Sequence, residues 1–228
     1  MTDTKEILRL LQIAGGNFPI GGFSQSYGLE TYIADKTIKS VEELKELLET
    51  YIKNIYCRSE LPILRAAFFA AACSDYKRLK WLNEIAIATK LTKESRDASC
   101  KSGRAMLRIG TELVDSDEVR EFFEWTRSAG AAFNIAFPVV ACKLGISPES
   151  TASSYLFNGV NGLVQAAVKL MPLGNIEGQQ LLQELMPVME EAVKESRRIS
   201  VNEISNFAPS IDMASIEHEV LKTRLYMS

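Results

Sequence analysis

The chain has 228 residues, 46% of them hydrophobic and 24% charged, with a formal net charge of −3 and a pI of about 5.5. That length can bury a substantial core without disulfide or metal staples, and the composition excludes a disordered chain. Without a positive field nucleic acid is not expected as a partner, and the longest apolar run, Ala66 to Cys73, is far short of the ~20 residues that cross a bilayer.

Helical periodicity dominates from the start. The first helix ends at Gly15-Gly16, where glycine's tolerance of the left-handed conformation suits a C-cap. In the stretch NFPIGGFSQSYGLE that follows, Pro19 stiffens the turn, Gly21-Gly22 permit a tight reversal and Ser24 caps the next helix. This backbone reading leaves Gln25, Tyr27 and Glu30 without a structural task. Ser40 and Glu43 form a capping box, and Leu44, Leu47, Leu48, Tyr51, Ile52 and Ile55 then line one helix face. Pro62 suits the first turn of a new helix running to Cys73. Asp75 opens the next, Thr92 caps a segment reaching Leu113, and Ser116 or Asp117 starts one with Val119, Phe122 and Phe123.

Helices are predicted over Ala131 to Leu144, Pro148 to Leu170, Ile176 to Leu185 and Val188 to Arg198. No stretch alternates polar and apolar residues as a strand does, and no linker divides the chain. The prediction is a single all-α domain, a bundle of about ten helices. Residues 207–228 are less periodic, begin beside a proline and read as an extended tail.

The motifs of catalysis are missing. His218 is the one histidine, set between Glu217 and Glu219, which reads as a solvated tail residue rather than a metal ligand. There is no G-x-S-x-G elbow and no phosphate-binding loop, and the glycines of GGNFPIGG follow a helix and lack the lysine. The cysteines Cys57, Cys73, Cys100 and Cys142 form no C-x-x-C pair. With no secretory signal, four buried thiols in a reducing cytoplasm are expected.

One helix carries a more specific signal. At about 100° per residue, Thr151, Ser154, Asn158, Asn161, Gln165 and Lys169 fall within an arc of roughly 80°. The opposite face holds Leu156, Val160, Leu163, Ala167 and Met171. An arc rich in amides, with one charge at its end, suits a semi-buried groove or interface as well as it suits solvent. Gly159 and Gly162 beside it each cost about 1 kcal/mol relative to alanine, a cost that close helix packing would offset.

Taken together, LLQIAGGNFPIGGFSQSYGLETYI, LTKESRDASCKSGRAML, YLFNGVNGLVQAAVKLMPLGNIEGQQLL and SNFAPSIDMASIEHEVLKTRLYMS resemble the urease accessory protein UreF family, in order and over nearly the whole length. The chain departs from that pattern at Phe133-Asn134, where the family often has a histidine, and at Pro138, where it has a glycine; proline there is expected to kink the helix. The resemblance implies an all-α cytoplasmic protein with no reaction and no cofactor of its own. It implies a homodimer that bridges UreD (UreH) and the GTPase UreG to apo-urease for nickel insertion. By motif, Glu30 and Lys169 are the expected GTPase contacts, flanked by Ser24, Gln25 and Tyr27. Arg224, Leu225 and Tyr226 of the tail are expected to dock to UreD, and Tyr155, Leu156, Gly159 and Gly162 to form the dimer seam. Two other readings stay open: a small-molecule enzyme using Glu30 and Lys169 as base and acid, and a nickel store or sensor binding through cysteine and His218.

Overall fold

Among the described residues, capping side chains mark five of the eleven α-helix starts. In the computed structural model, which describes residues 3–21, 26–221 and 224–226, Ser40 and Glu43 close a reciprocal capping box at the head of α3 (Val41–Thr50). Asp75 caps α5 (Tyr76–Ala88), Thr92 caps α6 (Lys93–Leu113), Ser116 caps α7 (Asp117–Ala129) and Ser147 caps α9 (Pro148–Leu170). Each side chain accepts a backbone N–H that the first helical turn leaves unpaired. α1 (Thr4–Ala14) and α2 (Leu29–Ala34) precede these, and α4 (Leu61–Ala72), α8 (Phe133–Lys143), α10 (Asn175–Glu195) and α11 (Pro209–His218) complete the set. Among the described residues there is no strand, and no helix is long and apolar enough to cross a membrane.

α8 forms the centre because its sequence leaves it no other place. FNIAFPVVACK is apolar all round, and Asn134 through Ala141 are all buried. α4 and α6 pack closely on it, with α5 and α9 alongside, and α10 covers α9. α6 comes very near both α8 and the residues just before it. A Cβ on Gly103 would come 1.9 Å from the Ala131 carbonyl oxygen, and one on Gly110 2.5 Å from Val140.

Pro62 stands in the first turn of α4 as expected, whereas Pro187 lies inside a helix that the sequence pattern divides there. No break precedes Pro62, because the chain passes from α3 through a π-helical run, Tyr51–Glu60, directly into α4. The Arg58 carbonyl, which an ordinary residue at position 62 would bond, instead accepts the Ser205 N–H at 3.1 Å. Counting this continuous stretch once gives ten α-helical runs among the described residues, in line with the predicted bundle of about ten. Pro187 does not split α10 either. It lies on the exposed side with Gln183, whose carbonyl loses its helical donor where water can replace it. α8 likewise runs through Pro138. The side-chain amide of buried Asn134 has no partner among the described residues, and nothing in the structure explains it.

The first helix does end at Gly15, but for another reason than handedness. Gly15 is extended, with φ −68° and ψ 147°, and a Cβ there would sit 2.6 Å from the Leu11 carbonyl oxygen. Gly21 has φ +74°, as a tight turn needs. The predicted cap Ser24, with Gly22 and Gln25, lies outside the described residues. The tail is not extended throughout, since Pro209 opens α11, which packs against α2. The thiols also differ from expectation: Cys57 is buried, Cys100 and Cys142 are half-buried and Cys73 is exposed.

Candidate functional site

α2 is six residues long, and its contacts rather than its length hold it. Gly28 at its head has φ +85°, and a Cβ there would come within 2.9 Å of the backbone nitrogen and hydroxyl of Ser215. Only glycine lets α11 lie so near. The Thr31 hydroxyl donates to the Ala214 carbonyl at 2.8 Å, tying the two helices side by side.

This packing carries Glu30 inward. Its side chain is 6% exposed, and both oxygens are taken by the C-terminal segment. Oε1 accepts the Leu225 N–H at 2.8 Å, and Oε2 accepts the Tyr226 N–H at 3.1 Å and faces His218 Nε2 at 3.0 Å. Glu94, in the first turn of α6, holds the same segment from the other side. Its Oε2 lies 2.7 Å from His218 Nδ1, and its Oε1 accepts from Arg224 at 2.7 Å. His218 is therefore the reverse of a solvated tail residue: it is fully buried, with each ring nitrogen facing a carboxylate. A neutral ring can donate to one of them, a protonated ring to both. Because the two carboxylates stand on opposite ring nitrogens, they do not converge with the ring on a single point. Among the described residues no three His, Cys, Asp or Glu side chains could hold a metal ion.

The other residues singled out by sequence gather around this cluster unevenly. Lys169 is exposed at the end of α9, its ammonium 5.9 Å from the centre of the Tyr226 ring. The Tyr226 phenol is buried, and that burial, with the Glu30 carboxylate beside it, raises its pKa. Leu225 is 75% exposed, and Arg224 is exposed too. The side of α11 away from α2 shows Met213, Ile216 and, just past its end, Val220 to solvent. Tyr27, with φ 50°, is half-buried, and its carbonyl accepts the Tyr51 hydroxyl.

A cavity of about 160 Å³ opens under Gly15, Gly16 and Phe18, floored by Asn158, Asn161 and Gln165 of α9. The amide-rich arc thus lines a half-buried hollow. A second hollow of about 90 Å³ shares the Tyr27, Tyr56 and Tyr155 walls of the first. There Glu60 accepts from Tyr155 Oη and Lys90 Nζ, both at 2.6 Å. Burial, with the Glu60 charge, pushes the Tyr27 and Tyr155 phenols upward. Neither Glu30 nor Lys169 lines either hollow, so the base and acid of the enzyme reading do not meet in a pocket.

The expected dimer seam needs correcting. Leu156 is fully buried and Tyr155 nearly so, inside their own protomer, and they cannot face a second copy unless the core opens. Gly159 does allow a close approach, but by Tyr56 of the same chain, whose hydroxyl lies 1.9 Å from where a Cβ would be; a Cβ on Gly162 would meet nothing within 4 Å. Glu94 and Thr31 went unremarked in the sequence. No local pattern links position 94 with 218 or 31 with 214, because only the fold brings them together.

With this geometry in view, the comparisons decide the lineage. The UreF family model matches residues 38–186. The chain belongs to the UreF family. It is 33% identical to the urease accessory protein UreF of Geobacillus kaustophilus (strain HTA426) over 228 residues, covering 100% of both chains. It is 32% identical to that of Bacillus sp. (strain TB-90) over 224 residues, 97% of this chain and 99% of the relative. The UreF of Nostoc sp. is 30% identical over 223 residues, 97% of this chain and 95% of the relative. The match to the Geobacillus relative spans the whole chain, so Glu30 and the C-terminal segment lie within it.

Proposed function

We propose that this chain is a urease-maturation scaffold that bridges UreD (UreH) and the GTPase UreG to apo-urease, so that nickel reaches the metallocentre. In this reading it works in the cytoplasm as a homodimer, carries out no reaction itself and treats nickel as cargo. The observation that carries the reading is the two-sided C-terminal segment. Its inner side is fixed by hydrogen bonds to Glu30 and Glu94, while Met213, Ile216, Val220 and Leu225 stand exposed on the outside. An apolar outer side of this kind, backed by a fixed polar inner one, suits a protein partner, and UreD is assigned to it. Lys169 and Tyr27, at the border of the cluster, are assigned to the UreG side, with Ser24 and Gln25 just before Tyr27 in sequence.

The test is co-purification with UreD and UreG, followed by urease activation with and without this chain. Met213→Asp combined with Ile216→Asp is expected to leave the melting temperature within a few degrees, because both side chains already face water, and to abolish UreD capture. Full capture by this variant would remove α11 from the interface. Urease activation that proceeds equally well without the chain would end the scaffold reading.

A further inference from the structure

Glu30 was expected to reach a partner, yet it is among the least accessible carboxylates of the chain. Its two oxygens meet three groups, and all three belong to the C-terminal segment: the His218 ring, the Leu225 N–H and the Tyr226 N–H. Glu94 adds a grip on that segment through His218 and Arg224. The rest of the attachment is mostly apolar: Ile211 and Ala214 of α11 and the ring of Tyr226 are buried. Thr31 contributes one hydrogen bond to the Ala214 carbonyl, and Leu225 places its side chain in solvent. The backbone N–H groups of Leu225 and Tyr226 form no helical hydrogen bonds, so Glu30 supplies the acceptors that such groups need when they leave water.

We infer that Glu30, Glu94 and His218 act as a clasp that positions the C-terminal segment, so that Glu30 controls partner capture through Leu225 and Tyr226 and not by touching a partner. This rests on the scaffold reading for its partner, though the clasp itself is testable without one. Glu30 is then a positioning residue, and the surface a partner meets is the outward side of the segment that it holds.

The first measurement is amide hydrogen exchange on the full chain alone. Glu30→Ala and His218→Ala should each speed exchange at Leu225 and Tyr226 by about tenfold or more, while amides of α4 and α8 keep their protection. Unchanged exchange at those two amides in Glu30→Ala would overturn the clasp. If Glu30→Ala fails to fold, Glu94→Gln at the more open edge carries the same test at Tyr226.

The second measurement is a double-mutant cycle of Glu30→Ala and His218→Ala, read as affinity for the UreD–UreG pair. If both residues act through one segment, the double variant should bind about as weakly as either single one, and not at the product of the two losses. Multiplying losses would mean that Glu30 contacts the partner itself, and would overturn the positioning role. If the wild-type chain captures neither protein while exchange still responds to Glu30, the scaffold reading fails and the clasp stands.

Discussion

Glu118 shows how a single side chain ties distant parts of this bundle together. It sits in the first turn of α7, where a carboxylate suits the helix dipole, and it accepts from Lys143 at the end of α8, from Ser74 at 2.6 Å and from Ser116 at 3.1 Å. The Lys143 bond first, then that of Ser74, lowers its pKa to about 2 from an ordinary 4.5. A depressed carboxylate adds stability that is complete above its unfolded value and is lost as pH falls through its folded one. The window therefore runs from 4.5 down to about 2. Since the side chain is 39% exposed, solvent screening limits the effect. Glu118→Gln should flatten the acid limb of the stability profile by about 0.5–1 kcal/mol, measured as urea midpoints between those two pH values, with little change near neutrality beyond that amount. An unchanged acid limb would mean that the Lys143 pair contributes nothing.

At the level of elements, glycine's role depends on what lies across from it. Gly103 of α6 faces the Ala131 carbonyl, a backbone atom that cannot step aside, and Gly103→Ala should cost about 1–3 kcal/mol. Gly162 of α9 faces open space over the large hollow, so Gly162→Ala should raise stability by about 0.5–1 kcal/mol through helix propensity alone. Thermal melts of the two variants should move in opposite directions, and a fall for both would refute the assignment. The sequence pointed to Gly159 and Gly162 as the site of close helix packing, and only the first of them has that task. Gly103 and Gly110, between α6 and α8, drew no attention. Composition tells where a Cβ is missing, but a neighbouring helix decides whether one would clash.

Across the whole molecule, the clearest consequence concerns nickel. The four cysteines are dispersed through the bundle with differing exposure, and His218 spends both ring nitrogens on carboxylates. Tight binding of a borderline divalent ion needs several donors converging at one point. Calorimetric titration of the isolated chain with nickel should therefore show no submicromolar site. Finding one would revive the storage reading.

The sequence by itself determined the class of fold and most helix starts, because capping residues and the 3.6-residue period act within a few positions of the chain. Ser40, Asp75, Thr92, Ser116 and Ser147 needed no distant neighbour to do their work. It also marked Glu30 and the closing residues as belonging to a family pattern. What tertiary structure alone decided is where those residues point. Glu30 faces inward because Gly28 and Thr31 draw α11 against α2, His218 is buried because two carboxylates 64 positions apart in sequence meet its ring, and Pro62 leaves its helix unbroken because Ser205 supplies an N–H from far along the chain. Such pairings depend on contacts across the bundle, which no local periodicity encodes.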